Sequence, residues 1–199
     1  MAQQCFINLN AAASARHLSV GGLWGQSMQD LFFRLATRIL SEGVAAAAAW
    51  GVPGREYRAA LCRWEDDLFE QFPAGHRILT PEAAGGLIAT LFDACGRTPP
   101  DLRLVAGFDD PRIGGFADVT RHSIVIEHGC LYRFLVLHES AHLLVPADRQ
   151  HGPVFTYVLQ SLYRSFIGIP EAAIRESLRR HGLPCYTAFP AEICARIAA

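Results

Sequence analysis

The chain has 199 residues, of which 51% are hydrophobic, and this composition is sufficient for a sizeable buried core. The formal net charge is −1 and every basic residue is an arginine, spread along the chain, so we expect no concentrated basic face that would bind nucleic acid. The start lacks the pattern of a secretory signal, and no apolar run is long enough to span a bilayer, so we expect a cytoplasmic protein with no membrane partner. The cysteines do not occur at the short, regular spacings of a disulfide framework, so we expect their thiols to be reduced.

The first part of the chain, residues 1–54, differs in composition from the rest. It opens on an Ala/Ser/Gly-rich stretch and continues into an apolar pattern of helical period over Ser27–Leu40. Glycine and proline punctuate its end. We therefore predict a helical N-terminal extension over 1–54, followed by the main domain over 55–199; the pattern does not distinguish a lid, a pro-segment or a partner-binding arm.

Two helices are predicted at the start of the main domain. The first runs from Glu56 to Phe72, where Pro73 ends it. The second is opened by Thr80 as N-cap with Pro81 in the first turn, and it should continue to about Cys95. The first of these helices is amphipathic, and Gly96 is expected to stop the second.

Short strands are predicted in the middle of the chain. Leu102–Ala106 is one candidate, and Ala117–Val119 and Ile124–Glu127 are two more, joined as a hairpin. The strand near Ala117 could form an exposed sheet edge that holds a substrate backbone as an additional strand. An ordinary hairpin in a small sheet explains the same pattern equally well.

Helical periodicity returns at Leu131 and lasts until Pro146. This segment is apolar nearly all round, so we expect it to be the central helix. Further helices are predicted to begin at Pro153 and at Pro170, the latter continuing through Arg180. The order of elements predicts an α+β fold in which a small sheet packs on the central helix, with additional helices around it.

The central helix carries the pattern H-E-x-x-H at His138, Glu139 and His142. A spacing of four residues places the two imidazoles on one helical face, close enough to share one ion, and zinc accepts such ligands. Glu139 lies about 100° further round the helix, where it can take a proton from a zinc-bound water. The pattern predicts a Zn²⁺ site with Glu139 as the general base, although a buried polar network is the alternative.

A catalytic zinc site with one open position needs a third protein ligand. His151 is the first candidate, because the following glycine and proline would let the chain turn back at the start of a helix. Glu171 and Glu176 from the last helix are the competing candidates. Metzincin spacing is excluded, since it would place glycine and histidine where the chain has Val145 and Asp148.

The run LHESAH at 137–142, followed by HGPVF at 151–155, resembles the H-E-x-x-H and downstream H-G-x-x-F pattern of SprT-like and related minimal zincin metallopeptidases. The resemblance covers roughly 55–184 and is specific around 137–155. It implies a zincin-like fold with His138, His142 and His151 as zinc ligands and Glu139 as the catalytic residue. The chain lacks the cysteine-rich zinc ribbon and the basic tail of SprT-like proteins, which argues against a DNA-linked role.

These patterns together predict a zinc metallopeptidase that hydrolyses a peptide or protein substrate with water as nucleophile. A non-catalytic module that binds zinc or a peptide, and a zinc hydrolase of a small non-peptide amide, remain open as alternatives. A donor to the developing oxyanion could come from any of four side chains, none singled out by its spacing: Tyr157, Tyr163, Arg164 or His181. Substrate identity and oligomeric state do not follow from the sequence.

Overall fold

The computed structural model describes residues 55–110, 113–145 and 150–185 of the chain. These residues form an α+β fold, as predicted, with five α-helices and a three-stranded sheet. The predicted extension over 1–54, including its helix at Ser27–Leu40, lies outside the described residues, and the domain over 55–199 stays a prediction. In chain order the elements are α1 (Arg55–Gln71), α2 (Pro81–Ala94), β1 (Asp101–Val105), β2 (Gly115–Asp118), β3 (Ser123–Glu127), α3 (Arg133–Leu144), α4 (Pro153–Leu162) and α5 (Glu171–Arg180).

The chain divides into two compact units. The described part of the first unit covers 78–110 and 113–143, and it contains α2, the sheet and nearly all of α3. The described part of the second unit covers 55–77, 144–145 and 150–185, and it contains α1, α4 and α5. Each predicted helix and strand between 55 and 185 has a counterpart that begins within two residues of the predicted start; the helix predicted to continue through Phe166 ends at Leu162 and is followed by a π-helical turn over Tyr163–Ile167.

The sheet of the first unit has the order β1-β3-β2. β3 lies in the centre and is buried over Ser123–Ile126. It pairs in parallel with β1, with Leu102 opposite Ile124, and antiparallel with β2, with Ala117 opposite Ile124. The predicted hairpin of β2 and β3 is therefore confirmed, and β2 forms one edge of the sheet.

Local chemistry explains where α2 begins and ends. The Thr80 hydroxyl accepts a hydrogen bond from the Ala83 backbone N–H over 3.2 Å, and the proline at the first helical position has no N–H to satisfy. At the other end Gly96 takes a left-handed φ of 63°, which terminates the helix at little conformational cost. The predicted cap and stop of this helix are confirmed.

Helix α3 approaches the start of β2 closely. A Cβ atom at Gly115 would lie 3.1 Å from Cγ1 of Ile126 and 3.4 Å from Cδ2 of Leu135, and one at Gly114 would lie 3.3 Å from the same Leu135 atom. A larger side chain would have to displace packed atoms at these positions. Glycine therefore lets the edge strand lie against the N-terminal half of α3.

Side-chain hydrogen bonds and ring packing join the helices of the second unit. The Tyr57 hydroxyl of α1 lies 2.9 Å from the Thr156 hydroxyl of α4. The Tyr163 hydroxyl donates to Glu65 over 2.6 Å, and the ring of Tyr163 lies 6.0 Å from that of Trp64, which is fully buried. Because each tyrosine hydroxyl has a hydrogen-bond partner, the rings can pack in the helical core. Burial raises the pKa of Tyr57 to about 12, so its hydroxyl stays protonated.

A single carboxylate, Asp67 of α1, ties α1 to the C-terminal end of α5. It accepts hydrogen bonds from Ser177 over 2.7 Å, from Arg180 over 3.1 Å and from His181 over 3.2 Å. Partial burial raises the pKa of Asp67, but the hydrogen bonds from Ser177, Gln71 and His181 and the charge of Arg180 outweigh it and hold the pKa below its ordinary value. Asp67 therefore stabilises this helix pair in its ionised form.

The variant Asp67→Asn is expected to lower the free energy of unfolding at neutral pH by about 2 kcal/mol, since hydrogen bonds to a charged group are lost. A lowered folded-state pKa means that the contribution of Asp67 is complete above the unfolded value of about 3.9 and disappears as the pH falls below it. Urea unfolding at several pH values should therefore show wild type and variant converging in acid. The exposed Asp93 of α2 provides the control, and an equal loss in Asp93→Asn at every pH would contradict the role of Asp67.

Two further findings bear on the sequence predictions. The structure describes four cysteines, and all four are free thiols: Cys62, Cys95, Cys130 and Cys185.

Among the helices that the structure describes, none combines the length and the apolar character required to cross a bilayer.

Candidate metal centre

Helix α3 is buried on most of its surface. Val136, Leu137 and Ala141 are fully buried, which explains why a segment that is apolar nearly all round forms the centre of the first unit. Its half-buried face carries Leu135, His138 and His142, spaced three and four residues apart. Since Leu135 is the residue that approaches the start of β2, the two histidines share the helical face that adjoins the edge strand.

The side chains of His138 and His142 point toward each other. Their Nε2 atoms lie 3.1 Å apart, and their ring centroids are separated by 4.9 Å with an interplanar angle of 71°. The spacing of one helical turn thus has the predicted consequence that the two imidazoles converge. Both side chains are half-buried, so a small ion between them would be partly shielded from solvent.

This separation fits a shared zinc ion. Two nitrogen ligands at about 2.0 to 2.1 Å from a tetrahedral centre are about 3.3 Å apart, close to the 3.1 Å observed between the two Nε2 atoms. A hydrogen bond between one protonated and one unprotonated imidazole nitrogen accounts for the same distance, so the geometry is compatible with zinc without requiring it.

Glu139 lies between the two histidines in sequence and is only 5% exposed. A carboxylate is costly to bury unless it is paired with hydrogen-bond donors or a cation, so its position inside this unit calls for polar partners nearby. The neighbouring Ser140 instead satisfies its hydroxyl within the helix, donating to the Val136 carbonyl over 2.7 Å. Glu139 is thus the acidic side chain that α3 brings to the site.

His151, the third predicted ligand, directly precedes α4. Among the described residues, one group of three or more side chains could hold a metal ion: the ring nitrogens of His138, His142 and His151 all lie within 4.8 Å of one another. All three side chains are half-buried. Three imidazoles with one open position constitute a donor set typical of catalytic zinc.

The backbone at His151 differs from the prediction. We expected the following glycine to provide the turn, but Gly152 has an extended conformation with φ −105° and ψ −171° as the N-cap of α4. His151 itself adopts the left-handed region, with φ 54°. The glycine serves the helix start instead, where its carbonyl accepts the Thr156 backbone N–H over 2.9 Å.

The competing ligand candidates lie on the surface of α5. Glu171 accepts a hydrogen bond from Arg164 over 3.1 Å, and Glu176 accepts one from Arg179 over 2.8 Å. Their side chains are 49% and 53% exposed, respectively. Neither glutamate belongs to the group of three histidines. His151 is therefore the better-supported third ligand.

Three of the four predicted oxyanion donors are engaged elsewhere in the second unit. Tyr163 donates to Glu65, Arg164 contacts Glu171, and His181 contacts Asp67. These contacts agree with a role in packing or surface ion pairing. The fourth candidate, Tyr157, is 6% exposed, and its role as a donor stays a prediction.

The edge strand β2 offers backbone groups for hydrogen bonding. The Glu127 backbone N–H donates to the Gly114 carbonyl over 2.9 Å, which fixes the alternation of bonds along this antiparallel pair. Phe116 then turns its backbone groups toward β3, whereas Gly115 and Ala117 turn theirs away from the sheet. No strand within the described ranges pairs with this outer side.

Exposed apolar side chains lie on and beside the edge strand, and they are not among the predicted site residues. Ile113, Phe116 and Val119 are 40%, 42% and 47% exposed, and the Phe116 ring lies 5.8 Å from that of Phe108 at an angle of 61°. Because successive side chains of a strand point to opposite faces, Phe116 lies on the face opposite that of Gly115, and this alternation could have indicated that Phe116 is exposed. The association with Phe108 depends on how the loop after β1 folds back, and no local pattern predicts it.

Cys130 lies near the start of α3 but is not an activated thiol. Its Sγ atom would be 3.3 Å from a Cβ atom at Gly114. Burial raises the pKa of the Cys130 thiol, and the negative charge of Glu127 raises it further. Because the thiolate is the nucleophile, the raised pKa disfavours a nucleophilic role for Cys130.

Comparison with known proteins gives no assignment: no protein-family model, no curated protein and no solved structure matches the chain. The resemblance to SprT-like and minimal zincin metallopeptidases, carried by LHESAH and HGPVF, therefore stays a prediction.

Proposed function

We propose that the chain is a zincin-like, zinc-dependent metallohydrolase that cleaves peptide bonds. The observation that carries this proposal is the pair of imidazoles on the buried helix α3, His138 and His142, whose Nε2 atoms lie 3.1 Å apart with Glu139 between them in sequence. His138, Glu139 and His142 are polar side chains on a helix that is otherwise largely apolar and buried, and burying polar groups is costly unless they bind a partner such as a metal ion.

The ligands that would hold the ion are His138, His142 and His151. When bound, zinc supplies Lewis acidity, lowering the pKa of a coordinated water to about 7 and polarising a carbonyl oxygen. Neutral imidazole is the form that binds metal, so the site is expected to lose its affinity as the histidines become protonated in acid.

Glu139 performs the proton transfers in this proposal. It lies about 100° round the helix from His138, so we expect its carboxylate to be offset from the two ligand nitrogens and within reach of an attacking water. The carboxylate accepts a proton from the attacking water as oxygen bonds to the scissile carbonyl carbon. Glu139 then donates that proton to the leaving amine when the carbon–nitrogen bond breaks.

The edge strand β2 supports a peptide as the substrate. An extended segment can add to a sheet edge, where main-chain hydrogen bonds bind it independently of its sequence. The outward groups of Gly115 and Ala117 would provide those bonds, and Leu135 places this edge beside the helical face that bears His138 and His142. A small non-peptide amide would make no use of such an edge.

The proposal is tested by exposing a peptide library to the purified protein with zinc and with a chelator, and by identifying new termini with mass spectrometry. We expect cleavage that the chelator abolishes and that added zinc restores. Zinc binding without cleavage of any peptide would favour the non-catalytic module, and cleavage of small amides alone would favour the third alternative. A protein that binds no zinc would contradict both hydrolase functions and leave only a module that binds a peptide without metal.

The variant Ala117→Pro is expected to reduce peptide cleavage by at least about tenfold, because loss of one backbone hydrogen bond costs about 1 to 1.5 kcal/mol and the ring obstructs strand addition. Proline is tolerated on an edge strand where its missing N–H faces outward. Cleavage rates should therefore fall while the melting temperature changes little. Ala117→Ser keeps the N–H and serves as the control; equal rates in the two variants would remove the edge strand from substrate binding.

A further inference from the structure

His151 has an energetically unfavourable backbone conformation. Its φ of 54° lies in the left-handed region, where a residue with a Cβ atom is strained, and His122 is the other non-glycine residue with positive φ within the described ranges. Such a conformation persists when the surrounding structure imposes it. The neighbours of His151 should therefore contain the groups that hold it.

One such group is the side chain of Gln150. Its Nε2 atom donates a hydrogen bond to the Val145 carbonyl over 3.0 Å, and this contact is partly buried. Val145 directly follows the last residue of α3, where carbonyl groups have no partner within the helix. The amide of Gln150 satisfies the Val145 carbonyl and thereby ties the residue before His151 to the residue after α3.

The second group is the ring of Phe155, one helical turn into α4. The centroids of the His151 and Phe155 rings lie 4.9 Å apart with an angle of 56°, and Phe155 is fully buried. The imidazole therefore packs against an immobile surface on one side. Gln150 constrains the backbone of His151 and Phe155 constrains its side chain.

We propose that Gln150 is a positioning residue for the metal centre: its hydrogen bond to Val145 holds His151 in the left-handed conformation that presents the imidazole as the third zinc ligand. This inference rests on the proposed function. It assigns to Gln150 no contact with the ion or the substrate, and it predicts that Gln150 acts on zinc affinity only through His151. Outer partners of ligands typically change metal affinity by about 10- to 100-fold.

The test measures zinc affinity by competition with a chromogenic chelator for the wild type and for Gln150→Met, which keeps the side-chain length but has no donor. We expect a loss of affinity of about tenfold or more. Gln71→Ala is the control, since Gln71 also donates a side-chain hydrogen bond in the second unit, to Asp67. Its zinc affinity should match that of the wild type. Melting temperatures of the zinc-free proteins show whether either change merely unfolds the chain.

A double-mutant cycle with His151→Ala separates positioning from general stabilisation. If Gln150 acts through His151, adding Gln150→Met to His151→Ala causes no further loss of affinity. An equal loss in both backgrounds, or no loss in either, would overturn the inference. The absorption spectrum of the Co²⁺-substituted protein provides a second readout, and it should change in Gln150→Met toward the spectrum of His151→Ala.

The outcomes distinguish this inference from the proposed function. If the wild type binds zinc and cleaves peptides while Gln150→Met has unchanged affinity, the positioning role is wrong and the function stands. If zinc affinity behaves as expected but no peptide is cleaved, the positioning role stands and hydrolysis is wrong. A wild type that binds neither Zn²⁺ nor Co²⁺ overturns both.

Discussion

Replacing Glu139 with glutamine is expected to reduce peptide cleavage by a factor of about 10² to 10⁴ and to leave zinc bound, because a positioned general base contributes acceleration of that size. Glutamine has nearly the same volume and keeps one carbonyl oxygen, but it cannot accept a proton at neutral pH. Glu139 is 5% exposed, so a substitution of similar shape is also the least disruptive one. The measurement is the initial rate of cleavage of one identified peptide.

The control is Glu127→Gln, which changes a partly exposed glutamate of the same unit at the end of β3. Its cleavage rate should stay within about twofold of the wild type, since surface substitutions rarely change stability by more than about 0.5 kcal/mol. Metal analysis of Glu139→Gln should give the wild-type zinc content. Equal cleavage by the wild type and Glu139→Gln would refute the assigned mechanism even if zinc is present.

The helices could be predicted because their boundaries depend on local chemistry. Thr80 caps α2 through a hydrogen bond three residues away, and Pro73 lies directly after the last turn of α1. Such signals act within one or two turns, so the sequence contains them explicitly. The hairpin of β2 and β3 is equally local, because its strands are adjacent in the chain.

Pairing between distant segments was not predictable in the same way. β1 runs parallel to β3 although β2 lies between them in sequence, and this order depends on packing of the whole unit. The contact between the rings of Phe108 and Phe116 was unpredictable for the same reason, since the two residues come from separate segments. Propensity describes single segments and contains no information about which segments meet.

In the candidate site too, one part follows from local geometry and another part depends on contacts that the sequence does not show. His138 and His142 converge because they are one turn apart on a helix, a consequence of helical geometry that the sequence contains. His151 was inferred from a glycine that was expected to make the turn, whereas the histidine itself takes the left-handed conformation. Its role as a ligand stays a prediction, but the expected turn at Gly152 was wrong, because the backbone conformation depends on contacts such as that of Gln150 with Val145.

The variant His142→Ala is expected to lose nearly all bound zinc, because two remaining ligands do not complete a tetrahedral site. Wild-type protein purified with zinc should contain one equivalent, and the variant should contain close to none when metal is measured by mass spectrometry. A ligand that binds the folded state stabilises it, so zinc should raise the melting temperature of the wild type and not that of the variant. The half-buried position of His142 suits this test, since truncation there leaves no large cavity in the core.

The matched control is His128→Ala, which removes an exposed histidine from the short helical turn at His128–Cys130, just before α3. Because His128 is outside the group of three histidines, its variant should keep the full zinc content and the zinc-dependent rise in melting temperature. A decrease of similar size in both variants would indicate adventitious binding to surface imidazoles. Zinc content unchanged in His142→Ala would remove the metal centre and, with it, the function assigned to Glu139.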